Sequence, residues 1–443
     1  MPVFMTHTLL RLALAAAFTL ALPAADRHVI VVSLDGLTGS TLRNVASLKR
    51  NTPNLIDMTT RGAVSEGLTG VYPTVTYPSH TTLVTGRSPS AHGILGNTLF
   101  DPERQLNGAW YWYSELIAVP TLWHAARDKG LKTAAVYWPV TVGAAIDFNI
   151  PEFRSPRTLE DRLLFRAAAT PGLAAEFEKK YGQLPIGPFP DKTRAQMAAH
   201  IIETRKPELL LLHLIDYDHE EHSYGPDAPE ALPTLEAIDS AIGLLRAAVK
   251  QAGIEAKTTF LLVSDHGFRP ISKVLQPNAV LTSLGLGAPA NDASKWRIGV
   301  HSNGGSFALI ARDPNDREAI ALATRVFEGL LEDGKWGIER VLHRSDLNAI
   351  GAYSGAFLSV SMASGYSAGS ALTTGPWITP SGATKGTHGY LPGPPEMDAS
   401  FAAYGPGIQP TRLARARLVD VAPTIAALLG LELPNLEGRN LLQ

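Results

Sequence analysis

Apolar residues along this chain fall into runs of two kinds. His28 to Leu34 (HVIVVSL) is almost continuously apolar, as expected for a strand covered on both faces of a parallel sheet. Similar runs recur at Thr133–Tyr137, Leu209–Ile215, Thr259–Ser264 and Phe307–Ala311. Between them, Pro120–Lys129, Asp191–Thr204, Pro229–Gln251 and Asn315–Leu331 carry helical patterns. Strands alternating with helices predict an α/β fold built on one sheet. Ligands of such sheets bind beyond the carboxyl ends of the strands. Asp35 ends the first run, Asp216 and Asp218 end the third, and Asp265-His266 end the fourth. These acids and imidazoles are expected to share one sheet edge. Val419 to Leu442 reads as a closing helix and a tail.

Asn149–Pro190, rich in Pro and charge, and Ser283–Thr387, rich in Gly, Ser and Ala, fit the alternation poorly. We read them as insertions that wall a site within one domain, residues 26–443. Ahead of it, Leu9–Leu22 is apolar with one charge at Arg11, followed by Pro23-Ala24-Ala25. That is signal-peptide anatomy for residues 1–25, and the run falls short of the ~20 residues a membrane span needs. A periplasmic or secreted enzyme without stable membrane association after cleavage is expected.

Composition sharpens this by exclusion. The 443 residues are 45% hydrophobic and 18% charged, enough for a large core. A formal net charge of -2 offers no attraction for a nucleic-acid duplex. With no Cys there is no disulfide, no thiolate metal site and no thiol nucleophile. Oligomeric state leaves no mark in the sequence.

The candidate chemistry sits in VYPTVTYPSHTTLVTGRSPSAHGILGN, Val71–Asn97. Pro78 suits the first helical position, which would put the Thr76 hydroxyl at the positive end of a helix, where an anion is favoured. Thr74 and Ser79 are rival hydroxyls, and a capping role for Thr76 is the structural alternative. Asp218 and His222 share one face if IDYDHEEHSYGP forms a helical turn, with Asp216, His219, Glu220 and Glu221 as competitors. Asp265-His266-Gly267 follows a buried strand, His388 lies in the Gly-flanked loop KGTHGYLPG, and Asp35-Gly36 ends the first strand. Asn97 could donate an amide N–H to a developing phosphate charge, or make a turn. Asp and His without thiolates suit a hydrolytic zinc centre.

In order and combination, SLDG, PTVTYPSHTTLVTGRSPSAHGILGNTLFD, YWPV, DHEEHSYGP, VSDHG and GTHGY resemble the nucleotide pyrophosphatase/phosphodiesterase branch of the alkaline phosphatase superfamily. The resemblance implies a three-layer α/β/α sandwich around a mostly parallel sheet. It also implies two zinc ions per chain. One would take Asp35, Asp265, His266 and the Thr76 oxygen; the other would take Asp218, His222 and His388. Thr76 would attack phosphorus, giving a covalent phosphothreonine intermediate. Asn97 and the Thr76 amide would hold a phosphate oxygen. Where the family usually carries Phe and Asn, this chain has Tyr77 and Ser79. An aromatic residue that stacks a nucleobase in some members corresponds to His213.

The substrate implied is a small phosphodiester or nucleotide. No Lys or Arg lies within the strings around Thr76, Asp218, Asp265 or His388; Arg87 and Lys385 only flank them, and Lys295 or Arg297 in the second insertion could supply a clamp. Tyr77 and Trp138 are expected to cover the organic group of a diester. Three rivals remain open: a phosphomonoesterase on the same scaffold, a membrane-tethered phosphate-group transferase, and a non-catalytic binding protein.

Overall fold

The strand β1 (His28–Leu34) shows why its sequence lacks alternation. Ile30, Val32 and Leu34 enter one hydrophobic core and Val29 and Val31 enter another on the opposite face. In the computed structural model, which describes residues 27–106, 108–153, 158–184, 189–289 and 291–443, helices cover both sides. The segment 1–25 read as a signal peptide lies outside the described residues.

With β2 (Ala63–Ser65), β3 (Thr133–Val136), β4 (Phe148–Ile150), β5 (Leu209–Leu214), β6 (Thr258–Val263), β7 (Phe401–Tyr404) and β8 (Thr411–Leu413), β1 forms an eight-stranded sheet. The order is β8-β2-β7-β6-β1-β5-β3-β4. The β6-β1-β5-β3-β4 stretch is wholly parallel, with Ser33 opposite His213 and Val263, and only β7 runs antiparallel to its neighbours. Helices Asp191–Arg205 and Leu232–Gln251 lie on the Ile30 face. Thr76–Thr85 and Val421–Leu429 lie on the Val31 face. This is the expected three-layer α/β/α sandwich.

The two irregular stretches behave differently. Within 149–190, Phe165, Leu173 and Phe177 on the helices Leu159–Ala168 and Leu173–Tyr181 join the main core. Phe307–Ala311, read as part of the one sheet, belongs instead to a four-stranded antiparallel sheet, pairing with Ile298–Ser302 and Leu358–Met362. That sheet, covered by the helix Arg317–Asp333, has a core of its own. A strand buried on both faces looks the same in either sheet, so the apolar run alone cannot assign it.

The hairpin turn of this second sheet reaches back to the first. Gly305 donates to the His388 carbonyl at 2.7 Å. A Cβ on Gly304, which sits at φ +69°, would come within 2.6 Å of the same oxygen. The insertion thereby holds the 386–390 loop against the carboxyl edge of the main sheet.

Candidate metal and phosphate site

Three strand ends build the floor. Asp35 continues β1, its amide bonded to the Leu214 carbonyl at 2.9 Å, and Gly36 turns the chain at φ +72°. A Cβ at Gly36 would approach Phe268 to 2.6 Å, so glycine is required here. The Gly36 amide donates to Asp265 Oδ1 at 3.2 Å, tying the ends of β1 and β6 together. Past β5, the helix Asp216–Tyr224 presents Asp218 and His222 one turn apart. Two of their competitors are engaged elsewhere, Asp216 accepting from the Asp191 amide and Glu221 from the Asp227 amide, and His219 is exposed.

The helix Thr76–Thr85 starts two residues earlier than Pro78 suggested. Val75 is its cap, in extended conformation, and makes no side-chain capping bond. Thr76 is thus the first helical residue and not a cap, and Pro78 takes a first-turn position that needs no N–H. Tyr77 donates its orphan amide to Asn97 Oδ1 at 2.9 Å, which leaves the two N–H donors of the Asn97 amide for a ligand. The rival hydroxyls are committed or enclosed. Thr74 Oγ1 donates to the Tyr390 carbonyl and accepts from Gly389, while Ser79 is fully buried. Thr76 Oγ1 lies 3.4 Å from His266 Nε2.

Asp35, Asp265 and His266 bring ligand atoms within 4.8 Å of one another, and so do Asp218, His222 and His388. His266 Nε2 is 3.3 Å from Asp35 Oδ1 and 3.1 Å from Asp265 Oδ2. Asp218 is 3.5 Å from His222 Nε2 and 3.7 Å from His388 Nε2. Two atoms each ~2.0–2.1 Å from a tetrahedral zinc are roughly 3.3 Å apart, so both spacings suit a shared ion. His222 Nδ1 faces the Gly386 carbonyl at 2.9 Å and His388 Nδ1 faces the Thr74 carbonyl at 3.2 Å. Each carbonyl demands the proton at Nδ1 and leaves the Nε2 lone pair toward Asp218. The two groups meet where the His266 and His388 rings stack at 3.7 Å and 11°.

Electrostatics point the same way. Burial, then the neighbouring Asp218 charge, holds the Asp35 carboxyl well above its usual range. Burial, then Asp35, does the same to Asp265. Burial and neighbouring imidazoles hold His266 and His388 well below the ordinary imidazole value. Asp35 Oδ1, Asp218 Oδ1 and Asp265 Oδ2 are buried without a hydrogen bond. Orphaned carboxylate oxygens beside neutral imidazoles are what a divalent cation would satisfy, and the donor set fits one.

Some residues do not go where the sequence suggested. Trp138 is 1% exposed, packed in the core with its ring 4.9 Å from His80, and Tyr77 is fully buried. Neither offers surface to a substrate. Trp110, edge-on to Tyr77 at 5.2 Å, is exposed instead. His213, which stands where some family members carry a base-stacking aromatic, is 1% exposed and bonds Asp35 at 2.8 Å. Lys295 and Arg297 pair with Asp292 and with Asp316 and Glu318, so neither is a free clamp.

Sequence reasoning missed His80. Its Nδ1 donates to the Thr76 carbonyl at 2.8 Å, one helical turn back, and its ring lies 4.2 Å from that of His213. The four-residue spacing from Thr76 was the available signal.

The family model for type I phosphodiesterase / nucleotide pyrophosphatase matches residues 29–391. Venom phosphodiesterase 2 of Crotalus adamanteus is 28% identical over 254 residues, covering 55% of this chain and 27% of that protein. Ectonucleotide pyrophosphatase/phosphodiesterase family member 1 of Homo sapiens is 26% identical over 250 residues, covering 54% of this chain and 23% of that one. The matched region is about a quarter of the length of these curated relatives. Among solved structures, human ectonucleotide pyrophosphatase / phosphodiesterase 5 superposes with a TM-score of 0.66 at 20% identity, over 93% of this chain and 97% of that one. The murine counterpart, an inactive threonine-to-alanine variant in complex with AMP, gives a TM-score of 0.63 at 20% identity, over the same 93% and 97%.

Proposed function

Since this chain belongs to the type I phosphodiesterase / nucleotide pyrophosphatase family, we propose that it is an exported zinc-dependent hydrolase of small phosphodiesters or nucleotide pyrophosphate bonds. The observation that carries this is the meeting of two Asp/His groups at the His266–His388 stack, with the Thr76 hydroxyl 3.4 Å from His266. The proposed catalytic unit is residues 26–443, with 149–190 and 283–387 as its insertions. The export reading rests on the apolar Leu9–Leu22 run. Among the described residues no helix is long and apolar enough to cross a membrane.

In this reading Asp35, Asp265, His266 and Thr76 hold one zinc, and Asp218, His222 and His388 hold a second. Zinc, when bound, supplies Lewis acidity, lowering the pKa of a hydroxyl it touches and offsetting charge on phosphoryl oxygens. Thr76 Oγ1 attacks phosphorus in line. A threonyl O–P bond forms as the Thr76 hydroxyl gives up its proton and the bond to the leaving oxygen breaks, and the released alkoxide or phosphate takes up a proton. Water cleaves the phosphothreonine in a second displacement, so configuration at phosphorus is retained. The Asn97 N–H donors and the Thr76 amide at the helix start stabilise the charge on the non-bridging oxygens. His80 keeps the first turn registered through its bond to the Thr76 carbonyl.

A cleft of about 340 Å³ is lined by Thr98, which follows Asn97 in the chain, and by Trp296 and His301.

Metal removal tests the proposal. Stripping with a chelator is expected to abolish hydrolysis of thymidine monophosphate p-nitrophenyl ester, and two zinc equivalents per chain should restore it. Full activity in metal-free protein would overturn the reading.

His388 gives a sharper test, because 122 residues separate it from His266. His388→Ala is expected to lower zinc content to about one ion per chain and to reduce the rate, with excess zinc restoring part of it. Metal analysis showing two ions at wild-type rate would remove His388 from the ligand set.

A further inference from the structure

The carboxylate of Asp35 has two oxygens with different surroundings. Oδ2 is 2.8 Å from His213 Nε2, while Oδ1 has no hydrogen bond and lies 3.3 Å from His266 Nε2. His213 stands on β5 opposite Ser33, two residues before Asp35 on β1. It is 1% exposed, and the strand register holds its backbone beside the end of β1.

The other ring nitrogen, Nδ1, faces the Tyr137 carbonyl at 3.2 Å and Glu152 Oε2 at 3.7 Å. That Glu152 oxygen is itself buried without a hydrogen bond. Both edges of the ring thus meet oxygen acceptors. The two edges compete for the ring proton. The 2.8 Å contact to an ionised, metal-bound Asp35 outweighs the longer 3.2 Å approach to the neutral Tyr137 carbonyl, so Nε2 carries the proton and donates. On the other side His80 packs against the ring with centroids 4.2 Å apart, and His80 in turn bonds the Thr76 carbonyl.

We infer that His213 is a positioning residue for the metal site. Its Nε2–H occupies Asp35 Oδ2, so Asp35 is a one-oxygen ligand that offers only Oδ1 to the ion shared with Asp265 and His266. The inference rests on the proposed ligand role of Asp35. A carboxylate free to rotate could instead offer both oxygens or turn away. A hydrogen bond from behind removes that freedom. Where some family members carry a base-stacking aromatic, this chain thus carries a residue turned to the proposed metal site.

The experiment is a zinc titration of the whole chain against a chromophoric chelator, independent of turnover. Wild type is expected to bind two equivalents. His213→Phe, which removes the donor, should weaken one of the two equivalents by about ten- to a hundredfold and leave the other unchanged. His213→Gln, whose amide nitrogen can reach the place of Nε2, should recover most of the loss. Comparable thermal unfolding of the metal-free forms separates this from a general packing defect. His213→Met supplies the donor-free comparison if the Phe variant does not fold.

Wild-type affinity at both equivalents in the donor-free variant would overturn the inference while leaving the zinc hydrolase reading intact. Equal losses in the Gln and donor-free variants would also overturn it, since packing and not the hydrogen bond would then be responsible. A wild-type chain that binds no zinc would instead remove the underlying reading and this inference with it.

Discussion

Thr76→Ala is expected to lose turnover of a p-nitrophenyl diester by roughly a thousandfold or more, while keeping its fold and its zinc. Three features of the first helical turn support so large an effect. The hydroxyl lies 3.4 Å from His266 Nε2, at the mouth of the Asp35 group, whereas Thr74 is tied to the 388–390 loop and Ser79 is enclosed. The Thr76 amide opens the helix with no capping side chain, so a phosphoryl oxygen there gains a donor and the positive end of the helix dipole. The backbone of Thr76 is held by His80, and its methyl group contributes little that Ala does not. Thr76→Ser should retain part of the activity because the oxygen survives. Steady-state kinetics with zinc quantified in the same samples would check this. Turnover of the Ala variant within about tenfold of wild type, ~1.4 kcal/mol in barrier, would exclude Thr76 as nucleophile.

The second large effect is on substrate choice. An aryl or nucleotidyl diester is expected to be hydrolysed with a kcat/KM at least about a hundredfold above that of the matching monoester, on the order of 3 kcal/mol. A monoester brings an extra negative oxygen that needs a cationic partner, and the cations named as candidates are occupied. Arg87 pairs with Glu437, Lys295 with Asp292, and Arg297 with Asp316 and Glu318. Lys385 donates to the Gly382 carbonyl, and Arg104, which lines the neighbouring cleft, donates to the Ser370 carbonyl. A diester instead brings a second organic group, which the exposed Trp110 can meet. Comparison of p-nitrophenyl phosphate with thymidine monophosphate p-nitrophenyl ester on zinc-loaded enzyme decides the matter. Equal efficiencies would promote the phosphomonoesterase reading.

The relation between sequence and site differs from residue to residue. Asp35 and Asp265 were legible because a buried parallel strand must read as an apolar run, and the residues just past its carboxyl end lie at the ligand edge. Asp218 and His222 were legible because four residues make one helical turn. His388 was not legible from its own loop. It comes to the site because Gly304 and Gly305 of the second sheet clasp its backbone and Thr74 accepts from its ring. Tyr77 and Trp138 were misplaced for the opposite reason. An aromatic next to a nucleophile string reads as a substrate platform, yet the helix turns Tyr77 inward and the segment after β3 turns Trp138 inward, while Trp110, edge-on to Tyr77, is exposed.

By itself the sequence determined the family, the parallel sheet and the residue types of the site. These depend on local periodicity and on motifs whose chemistry is short-range. Tertiary structure alone decided which oxygen of Asp35 is free, which hydroxyl faces His266, and that Phe307–Ala311 builds a separate sheet. Each of those outcomes is a contact between segments far apart in the chain, and no local pattern encodes the partner of a side chain. His213 shows the difference most clearly. Its place on β5 follows from an apolar run, but its role depends on the register that sets it beside the end of β1.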